Sequence, residues 1–596
     1  MNDDYSRLEI FTRRAFILGC GKLALGGLLL SKLSYLQIIK GQGYLEQSES
    51  NSSKIIWIKA NRGKIYDRNN IILADSRIDY KAYIDKNLIN KAKKQLYAVL
   101  KEFYTVVKLD LANLDIIVKK LKKTPISQPL IAMDKMSWEQ VETFEFNAFK
   151  CPEIYIDREF NRLYPRPSCS TFLGYVGEPS ESDKKNRANI SVITEGKNGI
   201  EQKFNEQLSG TPGYKQVEIN VRGIIQRVVH QNNEIPGKNL QLTIDANLQD
   251  KVTKILEGQS AAAVVMDPDS GQILAMASTP SFDGNNMVGG IAPADWNSLI
   301  NNPRLPLTNK VVSLTYPPGS VFKPIVALAA LESGISKDER FFCRGYYELG
   351  NRKFACWFKA GHGSVDMHKG ILQSCNCYFY QLSLKVGIEA IYKYATMLGL
   401  GAKPFTELPN VQSGIMPDKN WKYERYKQKW TSSDTLNSSI GQGYIMTSPL
   451  QLCLMFARIL SGTDIIPSMI FDDVNSKNRP KLNIDKSNLE IVQRAITGVI
   501  NEYGGLGIRH KIPGLIFGGK TGTAQVISKR FYAEDLSSST TPWELRNHGL
   551  FNGFIDFGHR RVCCSVVIEH IGSGAATIPF AKEILLAADG RSSGAV

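Results

Sequence analysis

A serine and a lysine in the middle of the chain have the spacing that nucleophilic catalysis requires. Ser320 and Lys323 lie three residues apart, directly before an apolar run that ends at Gly334. Pro324 is tolerated in the first turn of a helix, and residues three apart in a helix share one face. A serine hydroxyl needs a base to become a nucleophile, and a buried lysine beside another cation can be that base. The pair therefore predicts a serine enzyme with Lys323 as the base.

Two further short patterns follow Ser320 in the chain. Ser374-Cys375-Asn376 begins 54 residues after Ser320, and Lys520-Thr521-Gly522-Thr523 begins 146 residues after Ser374. Each pattern is weak alone, because the serine–lysine spacing recurs at 182–185 and the serine–asparagine spacing at 476–478. The order and spacing of all three argue against chance. We find no Walker A loop, HExxH motif or Rossmann fingerprint, and the GxSxG match at 590–594 lies in a polar tail.

The three patterns resemble the active-site motifs of penicillin-binding proteins and serine β-lactamases. Residues 62–69, 199–201 and 208–210 resemble the pedestal motifs of class B, monofunctional penicillin-binding proteins. Residues 439–443, followed by 447–451, are typical of their transpeptidase domain. A soluble β-lactamase is much shorter and lacks the pedestal motifs. The resemblance thus extends over most of the chain, and we expect no glycosyltransferase domain before the pedestal.

The resemblance implies a D,D-transpeptidase and a role for each motif residue. Ser320 would attack the carbonyl of the penultimate D-alanine of a peptidoglycan stem peptide, and Lys323 would take its proton. Ser374 and Asn376 would relay protons and hold the amide of the acyl donor, while Lys520 would contribute positive charge.

The resemblance also assigns substrate binding to the third motif. Thr521, Gly522 and Thr523 would line the substrate, with the two threonines on its terminal carboxylate. The backbone N–H groups of Ser320 and Thr523 would form the oxyanion hole. An amine of a second stem peptide would resolve the acyl-enzyme and make the cross-link. β-Lactams, as mimics of D-Ala-D-Ala, would acylate Ser320.

Four residues around the second motif form a candidate metal site. Cys343, Cys356, His362 and Cys375 follow the pattern C-x12-C-x5-H-x12-C. Three thiolates and one imidazole are a standard tetrahedral zinc set. There are two alternatives to a metal site. Cys343 and Cys356 could form a disulfide, or Cys375 and Cys377 could simply be small buried apolar residues.

The resemblance favours zinc among these alternatives. Some elongation-type class B members from Gram-negative bacteria are similar in having a zinc site at corresponding positions, including the residue inside the second motif. They place carboxylates where this chain has Cys343 and Cys356, and one gap is shorter here. Such a zinc ion would be structural and would brace the loop of Ser374 and Asn376 against the helix after Ser320.

The amino-terminal region contains the longest apolar stretch, at residues 15–38. Its length suits a membrane-spanning helix, which needs about 20 residues, although it includes Lys22 and Lys32. Arg13 and Arg14 precede it, so the positive-inside rule predicts a single-pass anchor with a cytoplasmic amino terminus. The remainder would lie in the periplasm, outside a bacterial inner membrane. The alternatives are a cleaved twin-arginine or lipoprotein signal and a buried core helix.

The sequence predicts five segments. They are a cytoplasmic tail at 1–14, the anchor at 15–38, a pedestal or dimerisation domain at 39–237, a transpeptidase domain at 238–590 and a tail at 591–596. Hairpins are predicted at 261–277 and 550–570 and a closing helix at 580–588, which indicates an α+β fold. The resemblance adds an extended mixed α/β pedestal, an antiparallel sheet with helices on both faces and an all-helical subdomain.

The charge balance narrows the possible partners. The 596 residues include 73 Lys and Arg against 57 Asp and Glu, a formal net charge of +16 that suits nucleic acid or another anionic polymer or surface. Because no nucleic-acid-binding motif accompanies the excess, we expect no nucleic-acid partner.

The resemblance implies an elongation-type enzyme that maintains rod shape without a catalytic cofactor. Its partners would be stem peptides, β-lactams, a polytopic membrane glycosyltransferase and scaffold proteins of the elongation complex. A division-type transpeptidase and a catalytically silent scaffold or β-lactam sensor are the alternatives.

Overall fold

The structure, a computed structural model, describes residues 13–40, 53–85, 88–89, 95–111, 114–122, 130–179, 194–219, 225–404, 407–471, 479–526 and 541–589. Several sequence predictions lie outside these residues: most of the amino-terminal tail, the carboxy-terminal tail, and the chance matches at 182–185, 476–478 and 590–594.

The described residues contain nineteen strands. They are β1 Ser53–Ile58, β2 Ile65–Tyr66, β3 Ile72–Ile84, β4 Leu130–Met136, β5 Ile154–Leu163, β6 Val176–Gly177, β7 Glu195–Gly196, β8 Gly213–Ile219, β9 Ile225–Asn232, β10 Leu240–Gln241, β11 Ala261–Met266, β12 Ile273–Thr279, β13 Phe341–Cys343, β14 Tyr346–Leu349, β15 Arg352–Ala355, β16 Gly363–Val365, β17 Ile516–Ala524, β18 His548–Asp556 and β19 Arg561–Ile568.

The same residues contain nineteen α-helices. They are α1 Arg13–Ser34, α2 Leu96–Val106, α3 Leu114–Lys122, α4 Trp138–Phe146, α5 Ser170–Leu173, α6 Gly199–Lys203, α7 Asn205–Ser209, α8 Ala246–Ile255, α9 Pro293–Ile300, α10 Lys310–Ser313, α11 Lys323–Glu332, α12 Met367–Leu372, α13 Asn376–Val386, α14 Ile388–Met397, α15 Lys419–Tyr426, α16 Ser432–Ser439, α17 Pro449–Ser461, α18 Lys486–Asn501 and α19 Ile578–Ala587.

The chain divides into two compact units. The first contains the described residues up to Ala60 and those of 211–236, and the second contains the described residues of 61–181, 194–210 and 237–596. The predicted domain limits at 39–237 and 238–590 stay predictions, since the first unit takes only part of the predicted pedestal.

The first unit contains an apolar helix and a small sheet. Helix α1 continues as a π-helical turn, Tyr35–Ile39. The span Phe16–Ile39 has a mean hydropathy of 1.6, and none of it is buried. It is thus long and apolar enough to cross a membrane, as the predicted anchor requires, and its exposure excludes the core-helix alternative. Strands β1, β8 and β9 form an antiparallel sheet in the order β1-β8-β9.

The pedestal part of the second unit is built on the long strand β3. The sheet order is β10-β2-β3-β4, and β5 also pairs with β3. Helices α2, α3 and α4 contribute to a hydrophobic core of their own with this sheet. At its base, two of the predicted pedestal motifs meet, because Arg62 and Arg162 both bind the buried carboxylate of Glu201 at 2.6 Å.

A five-stranded antiparallel sheet forms the centre of the catalytic part, in the order β12-β11-β19-β18-β17. Both predicted hairpins are present, as β11–β12 and β18–β19, and the predicted closing helix is α19. Helices α8 and α19 pack together against strands β12, β18 and β19, while α17 and α18 pack against β11, β17 and β19. The α+β architecture predicted from the sequence is therefore confirmed.

Helix α11 lies at the centre of a helical group beside this sheet. It packs against α13, α14 and α18, and its residues from Lys323 to Leu331 are all buried. A helix that is apolar on every side needs neighbours on every side, which explains why the chain inserts helices between the two hairpins. Two further pairs of short strands, β13–β16 and β14–β15, lie between α11 and α12 in sequence.

Candidate functional site

The candidate nucleophile Ser320 lies in a tight turn just before the helix that was predicted to begin with it. Residues Gly319–Phe322 form a 3₁₀ turn, and α11 starts at Lys323 with Pro324 in its first turn. The Lys323 N–H donates to the Ser320 carbonyl, so the turn runs directly into the helix. Ser320 itself is half-buried, as a nucleophile that must meet a substrate requires.

The Lys323 ammonium group is fully buried and makes three hydrogen bonds to the second motif. Its Nζ lies 2.7 Å from Ser374 O, 3.1 Å from Ser374 Oγ and 2.8 Å from Asn376 Oδ1. Burial lowers the pKa of Lys323 to about 8. A lysine with such a pKa is partly a free amine near neutral pH, so Lys323 can accept a proton.

Ser374 lies between two buried lysines. Its Oγ accepts a hydrogen bond from Lys520 Nζ at 2.9 Å as well as the one from Lys323. Burial, together with the charge of Lys323, lowers the pKa of Lys520 well below its ordinary value. In the described part of the chain, neither lysine pairs with a carboxylate. Two buried cations without a carboxylate partner favour the state in which one of them is neutral.

Backbone conformation at Ser374 also marks this site. Its φ is +52°, in the left-handed region that a residue with a side chain seldom adopts. Such a conformation costs about 1–3 kcal/mol and persists only where the surroundings impose it. Here it directs both the carbonyl and the hydroxyl of Ser374 at Lys323.

The third motif lies on β17, an edge strand of the five-stranded sheet, and packs on the nucleophile turn. Gly319 has a φ of +57°, and a Cβ there would lie 2.6 Å from Thr523 O. A Cβ at Gly522 would lie 2.6 Å from Pro318 O. Only glycine permits these approaches of backbone to backbone, because any Cβ would overlap a carbonyl oxygen.

The two threonines of the third motif differ in their surroundings. Thr521 is buried opposite Phe551 in β18. Thr523 is half-buried, its Oγ1 accepts the Gly574 N–H at 3.1 Å, and its carbonyl accepts a hydrogen bond from Gln442 Nε2 at 3.1 Å. Gln442 lies in the predicted 439–443 motif, but the sequence assigned it no role at the site.

The four predicted metal ligands converge beside the second motif. The candidate ligand atoms of Cys343, Cys356, His362 and Cys375 all lie within 4.8 Å of one another. The short strand pairs β13–β16 and β14–β15 bring together the first three, and Cys375 is the N-cap residue of α13. His362 Nδ1 lies 3.5 Å from Cys343 Sγ and 3.6 Å from Cys356 Sγ.

These distances fit a tetrahedral zinc site. Zn–S bonds of about 2.3 Å and Zn–N bonds of about 2.0 Å place a sulfur and a nitrogen ligand roughly 3.5 Å apart. Cys343 and Cys356 are free thiols in this structure. Hydrogen bonds from Cys375 and Cys377 lower the pKa of Cys356, which favours the thiolate that binds metal. The donor set and its spacing therefore suit the ion predicted from the sequence.

A second buried charged cluster, which the sequence did not predict, lies behind the nucleophile turn. Lys310 Nζ donates to Ser260 Oγ at 2.7 Å and lies 3.4 Å from Glu569 Oε2. Tyr316, four residues before Ser320, donates its hydroxyl to Glu569 Oε1 at 2.8 Å. Tyr316 and Glu569 are 253 residues apart in the chain, so no local pattern could have indicated this contact.

Two family models match the chain. The model of the penicillin binding protein transpeptidase domain matches residues 261–586, and that of the penicillin-binding protein dimerisation domain matches residues 57–242. Between them they span the catalytic and pedestal parts of the structure.

Individual proteins match over nearly the full length. The peptidoglycan D,D-transpeptidase MrdA of Haemophilus influenzae is 30% identical, over 98% of this chain and 92% of that protein. The complex of penicillin-binding protein PBP2 with MreC from Helicobacter pylori matches with a TM-score of 0.77 and 26% identity, over 90% of this chain and 99% of that chain. A structure titled for polymerization and crosslinking by a peptidoglycan synthase complex matches with a TM-score of 0.73 and 25% identity, over 98% of this chain and 100% of that chain.

Proposed function

The chain belongs to the penicillin-binding protein family and is a peptidoglycan D,D-transpeptidase, and we propose that Ser320 is its nucleophile and that it acts in cell-wall elongation. One observation carries the assignment of the site. Lys323, Ser374, Asn376 and Lys520 come from three separate motifs, yet they share one hydrogen-bond network beside Ser320.

Acylation begins with Lys323 as a free amine. It takes the proton of Ser320 Oγ while that oxygen attacks the carbonyl of the penultimate D-alanine. The bond to the terminal D-alanine then breaks, and its nitrogen leaves with a proton that Ser374 Oγ, hydrogen-bonded to both lysines, relays from Lys323. The products are an ester on Ser320 and free D-alanine. The amine of a second stem peptide attacks this ester, forms the cross-link and returns the proton to Ser320.

Charge in this reaction is stabilised by β17 and the nucleophile turn. The backbone N–H groups of Ser320 and Thr523 form the oxyanion hole, where one donor contributes about 3–4 kcal/mol to transition-state stabilisation. Lys520 supplies a buried positive charge. Thr521, Gly522 and Thr523 line the substrate, and the two threonines recognise its terminal carboxylate.

The elongation role rests on the compared proteins. The Haemophilus influenzae relative is named MrdA, and one matched structure is of PBP2 bound to MreC. Both support elongation over the division-type and silent-scaffold alternatives. We propose as partners a scaffold protein of the MreC kind and a polytopic membrane glycosyltransferase. Helix α1 anchors the chain in the inner membrane, with its amino terminus in the cytoplasm and the catalytic part in the periplasm.

We propose further that Cys343, Cys356, His362 and Cys375 hold a structural zinc ion. All four ligand atoms would be used, so the ion would have no open position for chemistry. When bound, it would cross-link the loop of β13–β16 to the start of α13. Because Ser374 and Asn376 flank Cys375, this cross-link would fix the second motif relative to Lys323.

Labelling with a fluorescent penicillin tests the nucleophile. We expect wild-type protein to be labelled and Ser320→Ala to be unlabelled, while Ser333→Ala, a control at the other end of α11, is labelled like wild type. Labelling that persists in Ser320→Ala would overturn the assignment of Ser320. Absence of labelling in all three folded proteins would favour the silent scaffold.

Metal analysis of the purified protein tests the zinc proposal. We expect about one zinc per chain in wild type and in Cys564→Ala, a buried thiol outside the cluster, and little in Cys356→Ser. Equal, near-zero zinc in all three would end the proposal.

A further inference from the structure

A second surface next to the active site has the composition of a carbohydrate-binding site. Helix α15 and the residue after it carry two exposed tyrosines, Tyr423 and Tyr426, and two exposed cations, Arg425 and Lys427, beside the half-buried Trp421. We call these five residues the aromatic–basic surface. We propose that this surface binds the glycan strand that carries the donor stem peptide. The proposal rests on the transpeptidase function given above and extends it to the sugar part of the substrate.

Aromatic packing explains only the inner part of this surface. Tyr444 is half-buried, and its ring centroid lies 5.4 Å from that of Trp421 and 5.4 Å from that of Tyr426. Lys422 is buried below them and pairs with Asp434 at 2.6 Å. These contacts hold α15 in place. They leave Tyr423 57% exposed and Tyr426 45% exposed, so the outer rings are not accounted for by a core.

The outer rings are combined with cations. Arg425 lies over the rings of Trp421 and Tyr426 at 5.7 and 5.9 Å, and Lys427 Nζ lies 5.7 Å from the Tyr423 ring. Within the described residues, neither cation forms an ion pair. Residues 419–430 contain five Lys or Arg and one acid. The surface therefore offers unneutralised positive charge beside flat apolar faces.

This combination matches the chemistry of a peptidoglycan strand. A pyranose ring presents a face of C–H groups, which pack on the electron-rich face of an aromatic ring. The stem peptides attached to the sugars carry carboxylates, which bind arginine and lysine. A polyanion with many weak contacts also gains from a field of one sign.

The position of the surface matches the length of the substrate. Gly441 O accepts the Gly319 N–H at 2.9 Å, so this loop touches the nucleophile turn. Tyr444 lies three residues further on, which is at most about 11 Å along the chain. A stem peptide with about four residues between the sugar and the scissile carbonyl spans at most about 14 Å. When its carbonyl is at Ser320, the sugar can therefore reach the aromatic–basic surface.

A comparison of two substrates tests this inference. The first measurement is kcat/KM for cross-linking of uncross-linked glycan strands that carry stem peptides. The second is the rate constant of acylation by a fluorescent penicillin, which has no glycan. The double variant Arg425→Gln/Tyr426→Ala removes one cation and one ring. We expect the ratio of the first constant to the second to fall at least fivefold, through KM. The control Tyr503→Ala, a tyrosine that is 99% exposed elsewhere, should leave the ratio unchanged.

A competition experiment separates sugar from peptide. Glycan strands stripped of their peptides should inhibit cross-linking by wild type, and at least fivefold more strand should be needed to inhibit the double variant equally. An unchanged ratio of the two rate constants would overturn the inference. If, in addition, the double variant lost binding of the membrane glycosyltransferase, the surface would be a docking site for that protein instead of for the glycan. If wild type were not acylated at Ser320 at all, the transpeptidase proposal itself would fail, and that result is distinguishable from the others.

Discussion

The catalytic part contains two groups of fully buried lysines, and the groups differ in their partners. Lys323 and Lys520 share Ser374 and have no carboxylate partner within the described residues. Lys310 lies 3.4 Å from Glu569 and donates to Ser260 and to the Thr279 carbonyl. Burial lowers the pKa of all three, but Glu569 opposes that effect at Lys310.

The difference separates a chemical role from a structural one. A buried lysine without a carboxylate partner can lose its proton at moderate cost, which is what a general base needs. A buried lysine with an ionised carboxylate stays charged and links the elements that carry the two groups. Glu569 follows β19 and Tyr316 precedes the nucleophile turn. The Lys310 cluster therefore fixes the position of the turn that carries Ser320, and the Lys323 cluster activates the Ser320 hydroxyl.

Removal of Lys323, the proposed base, is expected to have the largest effect. Lys323→Ala should lower the rate of acylation by penicillin about 1000-fold, because general-base catalysis contributes roughly 10²–10⁴. Stopped-flow measurement of labelling gives this rate. Lys310→Met is the matched control, since it removes an equally buried lysine. If Lys310→Met, kept below its unfolding temperature, lost as much acylation rate as Lys323→Ala, the division between the two clusters would be wrong.

Much of this site was predictable because its determinants are local. The three motifs are short runs of residues that can be recognised without knowing where the fold places them. The glycines and turn residues around β11–β12 and β18–β19 indicated both hairpins. The four candidate metal ligands were selected by residue type and spacing, with the resemblance favouring zinc over the alternatives, and the structure places their ligand atoms within 4.8 Å of one another. The ion itself stays a prediction. The structure adds that all of these runs meet within one site.

The Lys310 cluster could not be predicted because sheet register creates it. Strand β11 pairs with β19 so that Ala261 faces Ile568, which places Ser260 beside Glu569. A shift of one residue would separate them, and nothing within either strand specifies that shift. The 3₁₀ turn at Ser320 was missed for a similar reason, since it depends on close packing between Gly319 and Thr523.

Breaking the second cluster should mainly change stability. Glu569→Ala leaves Lys310 buried without its carboxylate, and such a loss costs about 3–5 kcal/mol of the free energy of unfolding. Urea denaturation of the full chain measures this loss. The double variant Lys310→Met/Glu569→Gln removes both charges and should recover most of that loss. A double variant no more stable than Glu569→Ala would contradict the pairing.

The pH dependence of acylation should follow Lys323. The free amine is the active form, so the rate should be low where Lys323 is protonated and should rise about tenfold per pH unit up to its pKa of about 8. Above that value the rate should level off. From pH ~6 to the plateau the increase should be about 100-fold. Glu569→Gln should show the same pH profile of the acylation rate. A profile shifted along the pH axis in Glu569→Gln would mean that the two lysine clusters titrate together.

The smallest effect should come from the Tyr316 hydroxyl, which links the Lys310 cluster to the segment before the nucleophile turn. Tyr316→Phe removes the hydrogen bond to Glu569 Oε1, and a hydrogen bond to a charged group contributes about 1.5–3 kcal/mol. We expect a loss of about 2 kcal/mol in unfolding free energy and a few-fold slower acylation, because Tyr316 lies four residues before Ser320. Tyr378→Phe is the control, since the Tyr378 hydroxyl is buried without a hydrogen-bond partner among the described residues. Its removal should be neutral or stabilising, and equal losses in both variants would mean that the Glu569 bond does not hold the nucleophile turn.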